Sequence, residues 1–228
     1  MSRNNSWTDE QIAHIRNVQA MKDLLAIRGC SRCHLGEQEE LKGPVVWRGN
    51  KEADIVLLGE GPGLVEDQEQ EPFRGPAGIL LDRILASVGM STEEEDGDFY
   101  IGNVVKCRPI ASPGTGKQNT TPTAECIQAC SPYWKRELEL LNPKLVVLCG
   151  KTAAQTVLER KEPMKYLVGK FYDTKYFVMY HPAALLHAQQ WPDKYDDLRK
   201  QTWTHAKQIR NFWDKEIIGR DVTYPEVE

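Results

Sequence analysis

Four stretches of the sequence carry side chains of types and spacings that can do chemistry. The first is Cys30-Ser-Arg-Cys33, a C-x-x-C pair whose spacing lets two thiolates bind one metal centre. Cys107 and Cys130 can complete a four-thiolate set, and on spacing alone such a set suits zinc and an iron–sulfur cluster about equally. Thioredoxin-type redox chemistry is a rival use for C-x-x-C, but that motif opens a helix inside a βαβ pattern. Here the pair follows a helical pattern and precedes any strand. Cys126 lies one helical turn before Cys130, and Cys149 closes an apolar run and reads as a buried structural cysteine.

The second stretch, Gly59-Glu60-Gly61-Pro62-Gly63, makes a tight turn in which glycines allow a ligand to approach the backbone. It lacks the lysine and spacing of a phosphate loop. Glu66 and Asp67 follow, and then Pro72-Phe73-Arg74-Gly75. An aromatic in a glycine-flanked loop can stack on a nucleobase; taken alone, Phe73 reads more plainly as core. The third stretch centres on Asn103, whose amide offers both a donor and an acceptor to a base edge. Alone, it reads as an asparagine satisfying strand-end backbone groups. The fourth is His181-Pro182-Ala183-Ala184-Leu185-Leu186. A histidine at a strand end can donate to developing negative charge, although a lone histidine is most often structural and paired leucines are most often core.

These side chains need a frame. Apolar runs at 54–58, 99–105, 145–149 and 176–180 have the near-continuous character of buried parallel strands. Helical patterns lie between them at 77–88, 124–141 and 152–159, with a last helix at 195–213. Alternating strands and helices predict an α/β fold, a three-layer αβα sandwich on a central four-stranded parallel sheet. In such sheets ligands sit beyond the carboxyl ends of the strands. Gly59–Gly63, Asn103–Pro109, Gly150-Lys151-Thr152 and His181-Pro182 all fall there, so four strand ends predict one crevice. Residues 9–28 repeat apolar positions at helical spacing, with Ser6 or Thr8 as the cap. The acidic run in 92–98 reads as a solvated loop, and 111–121 as a flexible insertion. The expected organisation is an N-terminal helical segment packing on the core (1–28), one domain (29–214) and a polar tail (215–228).

The 228 residues suit one domain with a small appendage, and 40% hydrophobic residues suffice for a core. No apolar run approaches the ~18 residues that span a bilayer, and the N-terminus lacks the apolar core of a secretory signal. A cytoplasmic protein without membrane contact is expected, in which free thiols are the rule. The net charge of −4 argues weakly against a nucleic-acid partner, but phosphate binding needs only a local basic surface.

Taken in chain order, the motifs resemble the family 4, iron–sulfur uracil-DNA glycosylases. The resemblance is carried by C-S-R-C at 30–33, G-E-G-P-G-x-x-E-D at 59–67, P-F-x-G-x-A-G-x-L-L-D at 72–82, N-V-V-K-C-R-P at 103–109, N-x-x-P-T-x-E at 119–125, C-x-P-Y at 130–133, P-K-L-V-V-L at 143–148 and Y-H-P-A-A-L-L at 180–186. It runs from about residue 20 to 213, and as a set it is highly specific. It implies a structural [4Fe–4S] cluster on Cys30, Cys33, Cys107 and Cys130, with Cys126 to spare. It implies that Phe73 stacks on an extruded uracil beside Gly61, that Asn103 hydrogen-bonds the Watson–Crick edge, and that Glu66 crowds C5 against thymine. Glu60 would position the attacking water or the base, Asn119 would act in catalysis, and His181 would stabilise charge on the departing base. Lys106, Leu185 and Leu186 would touch DNA, the two leucines from a loop that probes the duplex. The implied substrate is uracil in single- or double-stranded DNA, the implied protein a monomer, and replication or repair proteins are candidate partners.

The chain departs from the family pattern at Ile110, in an insertion before Asn119, and at Thr120, Val168 and His187, where the family has arginines. Lys117 and Lys170 could replace part of that charge. Two other classes compete: a non-catalytic DNA- or polymerase-associated module of the same fold, and an iron–sulfur redox protein unrelated to DNA. Retention of Glu60, Phe73, Asn103 and His181 together favours the glycosylase.

Overall fold

The computed structural model describes residues 29–93, 96–110 and 119–220. The helix expected at 9–28 and most of the 111–121 insertion lie outside the described residues. Among them, six strands form one sheet in the order β1-β3-β2-β4-β6-β5. β2 (Ile55–Gly59), β3 (Phe99–Asn103), β4 (Leu145–Cys149) and β6 (Tyr176–Met179) run parallel, as the apolar runs predict. Two antiparallel edge strands, β1 (Trp47–Gly49) beside β3 and β5 (Phe171–Tyr172) beside β6, extend that core. Both are too short for a period-two pattern to stand out in sequence.

Side chains alternate between two apolar layers. Val56, Leu58, Tyr100, Val146, Leu148 and Val178 face one side, where Trp134 of α3 (Ala124–Leu141) and Ala153 and Ala154 of α4 (Lys151–Val157) cover them. Ile55, Leu57, Phe99, Ile101, Val147 and Phe177 face the other, against Leu81 and Leu85 of α2 (Pro76–Ala86) and Ile209 of the long helix Pro192–Phe212. The expected three-layer sandwich is therefore present. Truncating any of these leucines to alanine would cost about 2–5 kcal/mol.

Three further helices complete the fold: α1 (Leu64–Glu69), α5 (Met164–Leu167) and α6 (Ala183–Ala188), which makes the long helix α7. α6 occupies a segment expected to be a loop, and α1 one for which no element was expected. Each has six residues, too few for a helical period to declare itself. The helical path also continues past α7 through Trp213–Ile218, where Asp214 is buried and Ile217 packs on the core. No described helix is long and apolar enough to cross a membrane.

Candidate active site

The carboxyl ends of β2, β3, β4 and β6 open into a shared cavity of about 590 Å³, within the range of small-molecule sites. Its wall includes Glu60, Gly61, Glu66, Phe73, Asn103, Asn119 and His181. All seven pocket residues singled out in the sequence are thus brought together.

The wall is shaped by atoms that are absent. Gly59 pairs with Asn103 across β2 and β3. A Cβ on Gly59 would lie 2.5 Å from Asn103 Oδ1 and 2.6 Å from Phe73 Cζ. Only glycine lets the amide and the ring meet there. Phe73 itself has φ +56, a conformation that costs a bulky residue energy unless its surroundings impose it. Helix α2 does so: a Cβ on Gly78 would lie 1.7 Å from the Phe73 carbonyl oxygen. Phe73 is buried and stacks on His181, with ring centroids 5.4 Å apart and planes at 27°.

Glu66 braces two turns. Its carboxylate accepts from the Gly63 amide at 2.9 Å and the Gly75 amide at 2.7 Å. Both of its oxygens therefore serve the backbone, so the residue is a rigid wall. Asp67 turns away from the cavity: it is buried and accepts from the Lys42 amide at 3.2 Å. Burial pushes its carboxyl up, against that hydrogen bond and the nearby Arg108 and Lys42 charges.

The ring of His181 has a defined tautomer. Its Nδ1 accepts the Ala183 amide at 3.2 Å, so in the neutral ring the proton sits on Nε2. Burial lowers its pKa to about 4, and the Glu66 charge only partly opposes this. Near pH 7 the group is therefore a neutral donor. Asn103 is buried and lines the cavity. Asn119 accepts from Arg108 Nε at 2.7 Å, and an Ile110–Asn119 bridge closes the base of the insertion. Glu60 accepts a hydrogen bond from the Thr152 hydroxyl.

Of the three side chains expected to touch DNA, two are buried in the structure. Lys106 is fully buried, with Nζ 2.7 Å from the Glu137 carboxylate, so its charge is spent inside the protein. Burial pushes that carboxyl up despite the lysine. Leu185 is buried on α6 and does not project from a loop; Leu186, also on α6, is half-buried. The turn at Gly150-Lys151-Thr152 also reaches the site: Gly150 and Lys151 line the cavity. The turn was visible after its strand but matched no known motif.

Five of the six cysteines, Cys30, Cys33, Cys107, Cys126 and Cys130, gather against the sheet face that α3 covers, whereas Cys149 lines the cavity. Cys33, Cys107 and Cys130 are buried and Cys30 is half-buried. Burial first, then the neighbouring thiols of Cys130, Cys33 and Cys30, pushes the Cys107 thiol up. Burial likewise raises Cys130 to about 11, partly offset by a hydrogen bond from the Lys106 backbone. Tyr133 donates to Cys30 Sγ at 3.2 Å. Among the described residues no three Cys, His, Asp or Glu side chains are close enough to clasp a single metal ion. Cys130, Cys33 and Cys30 lie near enough to act on the Cys107 thiol, a soft donor set of the kind that holds zinc or an iron–sulfur cluster. Cys126 is also buried, with Sγ 3.6 Å from His34 Nδ1. Cys149 is a buried strand residue, as expected.

A six-stranded, mostly parallel sheet with a cavity of this lining at its strand tips defines a recognisable class. The profile of the uracil DNA glycosylase superfamily matches residues 46–207, and the chain belongs to that superfamily. Its relatives carry a narrower name. It is 35% identical to the type-4 uracil-DNA glycosylase of Archaeoglobus fulgidus over 196 residues, 80% of this chain and 92% of that protein. It is 33% identical to the type-4 uracil-DNA glycosylase of Thermotoga maritima over 201 residues, 83% of this chain and 92% of that protein. A DNA polymerase of Bacillus phage SP01 is 28% identical over 153 residues, 66% of this chain but 15% of the polymerase.

Proposed function

We propose that this protein is a uracil-DNA glycosylase that hydrolyses the N-glycosidic bond of uracil in DNA. The observation that carries the proposal is the convergence of Glu60, Phe73, Asn103 and His181 on one cavity, with His181 a neutral donor. A base inside a duplex must first be extruded. Phe73, locked by Gly78, offers the extruded ring a fixed stacking face. The Asn103 amide can donate to O4 and accept from N3–H of uracil; cytosine presents the opposite pattern at both atoms. Glu66, immobilised by two amides, leaves little freedom to accommodate a methyl at C5.

Bond cleavage leaves positive charge on the sugar and negative charge on the base. The Nε2–H of His181 can donate to the uracil oxygen that gains charge, as a preorganised oxyanion donor does. Glu60, held by Thr152, supplies a carboxylate for the sugar cation or the attacking water. Asn119, held by Arg108, lines the same cavity.

A [4Fe–4S] cluster on Cys30, Cys33, Cys107 and Cys130 would act as a cross-link. It would tie the 30–33 segment to the exit of β3 and to α3, and Cys107 sits two residues from cavity-lining Pro109. The residues fit that role because burial disfavours free thiolates, a cost that metal ligation removes.

The test is incubation with uracil-containing oligonucleotides followed by alkali. Breaks at uracil, lost in His181→Ala, are expected. Binding without breaks would turn the reading towards a non-catalytic DNA- or polymerase-associated module of the same fold.

A further inference from the structure

The turn after β4 touches both sides of the reaction proposed above, and nothing yet assigns it a role. Gly150 has φ +96, and a Cβ there would lie 3.1 Å from His181 Cβ, so the turn makes room for the imidazole. Lys151 is exposed and lines the cavity. Thr152 donates to the Glu60 carboxylate. We infer that this turn handles substrate: Lys151 binds a DNA phosphate at the cavity mouth, and Thr152 positions Glu60.

The first half follows from charge. The cavity wall carries the carboxylates of Glu60 and Glu66, and Lys151 is the one lysine or arginine among its described residues. A polyanion approaching that mouth meets like charge unless a cation stands there. Among the described residues, the other candidates are spent or missing. Lys106 is buried against Glu137, Lys170 donates to the Tyr166 carbonyl outside the cavity wall, and Thr120 and Val168 are uncharged. Lys151 has no ion-pair partner among the described residues, so its ammonium is available.

The second half follows from geometry. The Glu60 carbonyl is fixed by the Val105 amide at 3.0 Å. Its carboxylate has the Thr152 hydroxyl as its side-chain partner among the described residues. Without that bond the carboxylate would rotate among staggered rotamers in an open cavity. Small misplacements of a reacting group cost about 10²-fold at the extreme.

Both halves rest on the glycosylase reading, and the experiment separates their failures. Binding is measured by anisotropy with an oligonucleotide carrying uncleavable 2′-fluoro-deoxyuridine, across a salt series. In Lys151→Gln, affinity at low salt should fall several-fold. The slope of log K against log salt should shrink by about 0.9, the share of one phosphate. Lys161→Gln, an exposed lysine off the cavity wall, should leave the slope unchanged. An unchanged slope in Lys151→Gln overturns the phosphate contact. In Thr152→Val, kcat should fall about tenfold or more with KM altered less than about twofold, and Thr152→Ser should recover most of it. Equal loss in the serine and valine variants, or no loss in valine, overturns the positioning role. Melting curves of both variants guard against simple misfolding. If the wild type fails to cleave uracil, the glycosylase reading falls, while the salt slope still decides the phosphate contact.

Discussion

The cavity and the cysteine-bearing face of the sheet are both buried, but they are kept in shape differently. The cavity is set by backbone. Glycines at 59, 78 and 150 admit close approaches, two amides hold Glu66, and a third fixes the His181 tautomer. The thiols of Cys33, Cys107 and Cys130 have little beyond burial, which pushes Cys107 and Cys130 up and so opposes their ionisation. One region is complete as protein; the other gathers thiols that the proposed cluster would cross-link. Substitutions in the first should change rates with the fold intact, and substitutions in the second should change the fold and carry the rate with it.

The widest separation should come from Cys107→Ala. It removes one of four proposed cluster ligands, and coupled metal sites contribute on the order of 10 kcal/mol to small domains. Loss of iron, loss of visible absorption, a sharply lower melting temperature and loss of activity are expected together. Cys126→Ala should retain its iron, because Cys126 is engaged with His34 and Thr123 instead. Iron retained in Cys107→Ala, or lost in Cys126→Ala, would dissolve the contrast between the two regions.

Next in size are His181→Ala and Asn103→Ala. Removing a preorganised donor costs about 3–4 kcal/mol, roughly 10²–10³ in kcat. The melting temperature should stay within a few degrees of wild type, since neither side chain sits in the apolar layers. A melting drop as deep as that of Cys107→Ala would mean the cavity is no better preorganised than the cysteine face.

The two regions also differed in legibility. The four parallel strands could be read because each is a continuous apolar run, and α3 because its pattern spans eighteen residues. Glu60, Phe73, Asn103 and His181 could be placed because strand ends in such a sheet must converge. What sequence hid was direction and partnership. Lys106 follows a strand end and looks available to phosphate, but Glu137, thirty-one residues later on α3, turns it inward. Leu185 looks like a loop leucine because six residues cannot show a helical period. Thr152 carries no motif, and its link to Glu60 spans ninety-two residues. Such contacts depend on tertiary packing, which local pattern does not encode.

The smallest effect concerns two histidines and pH. Burial lowers both His181 and His205 to about 4. His205 sits off the cavity, against Phe177 and Tyr180 with ring centroids 5.9 Å and 5.6 Å away. In the unfolded chain each titrates near 6.5. Between about pH 6.5 and 4 the unfolded state therefore binds more protons, and stability falls as pH falls through that window; above it neither group contributes a slope. His205→Leu should remove half of this effect without touching the cavity. Melting temperatures at pH 7.5 and 4.5 should differ by a few degrees less in the variant than in wild type. A variant that loses as much stability on acidification as wild type would show that His205 is not held neutral by burial. Activity should be flat from pH 8 to about 5.5 as far as His181 is concerned, because its ring is already neutral there. A kcat that falls with a midpoint near 6.5, and loses that limb in His181→Gln, would mean the cavity leaves its imidazole as hydrated as in a free peptide.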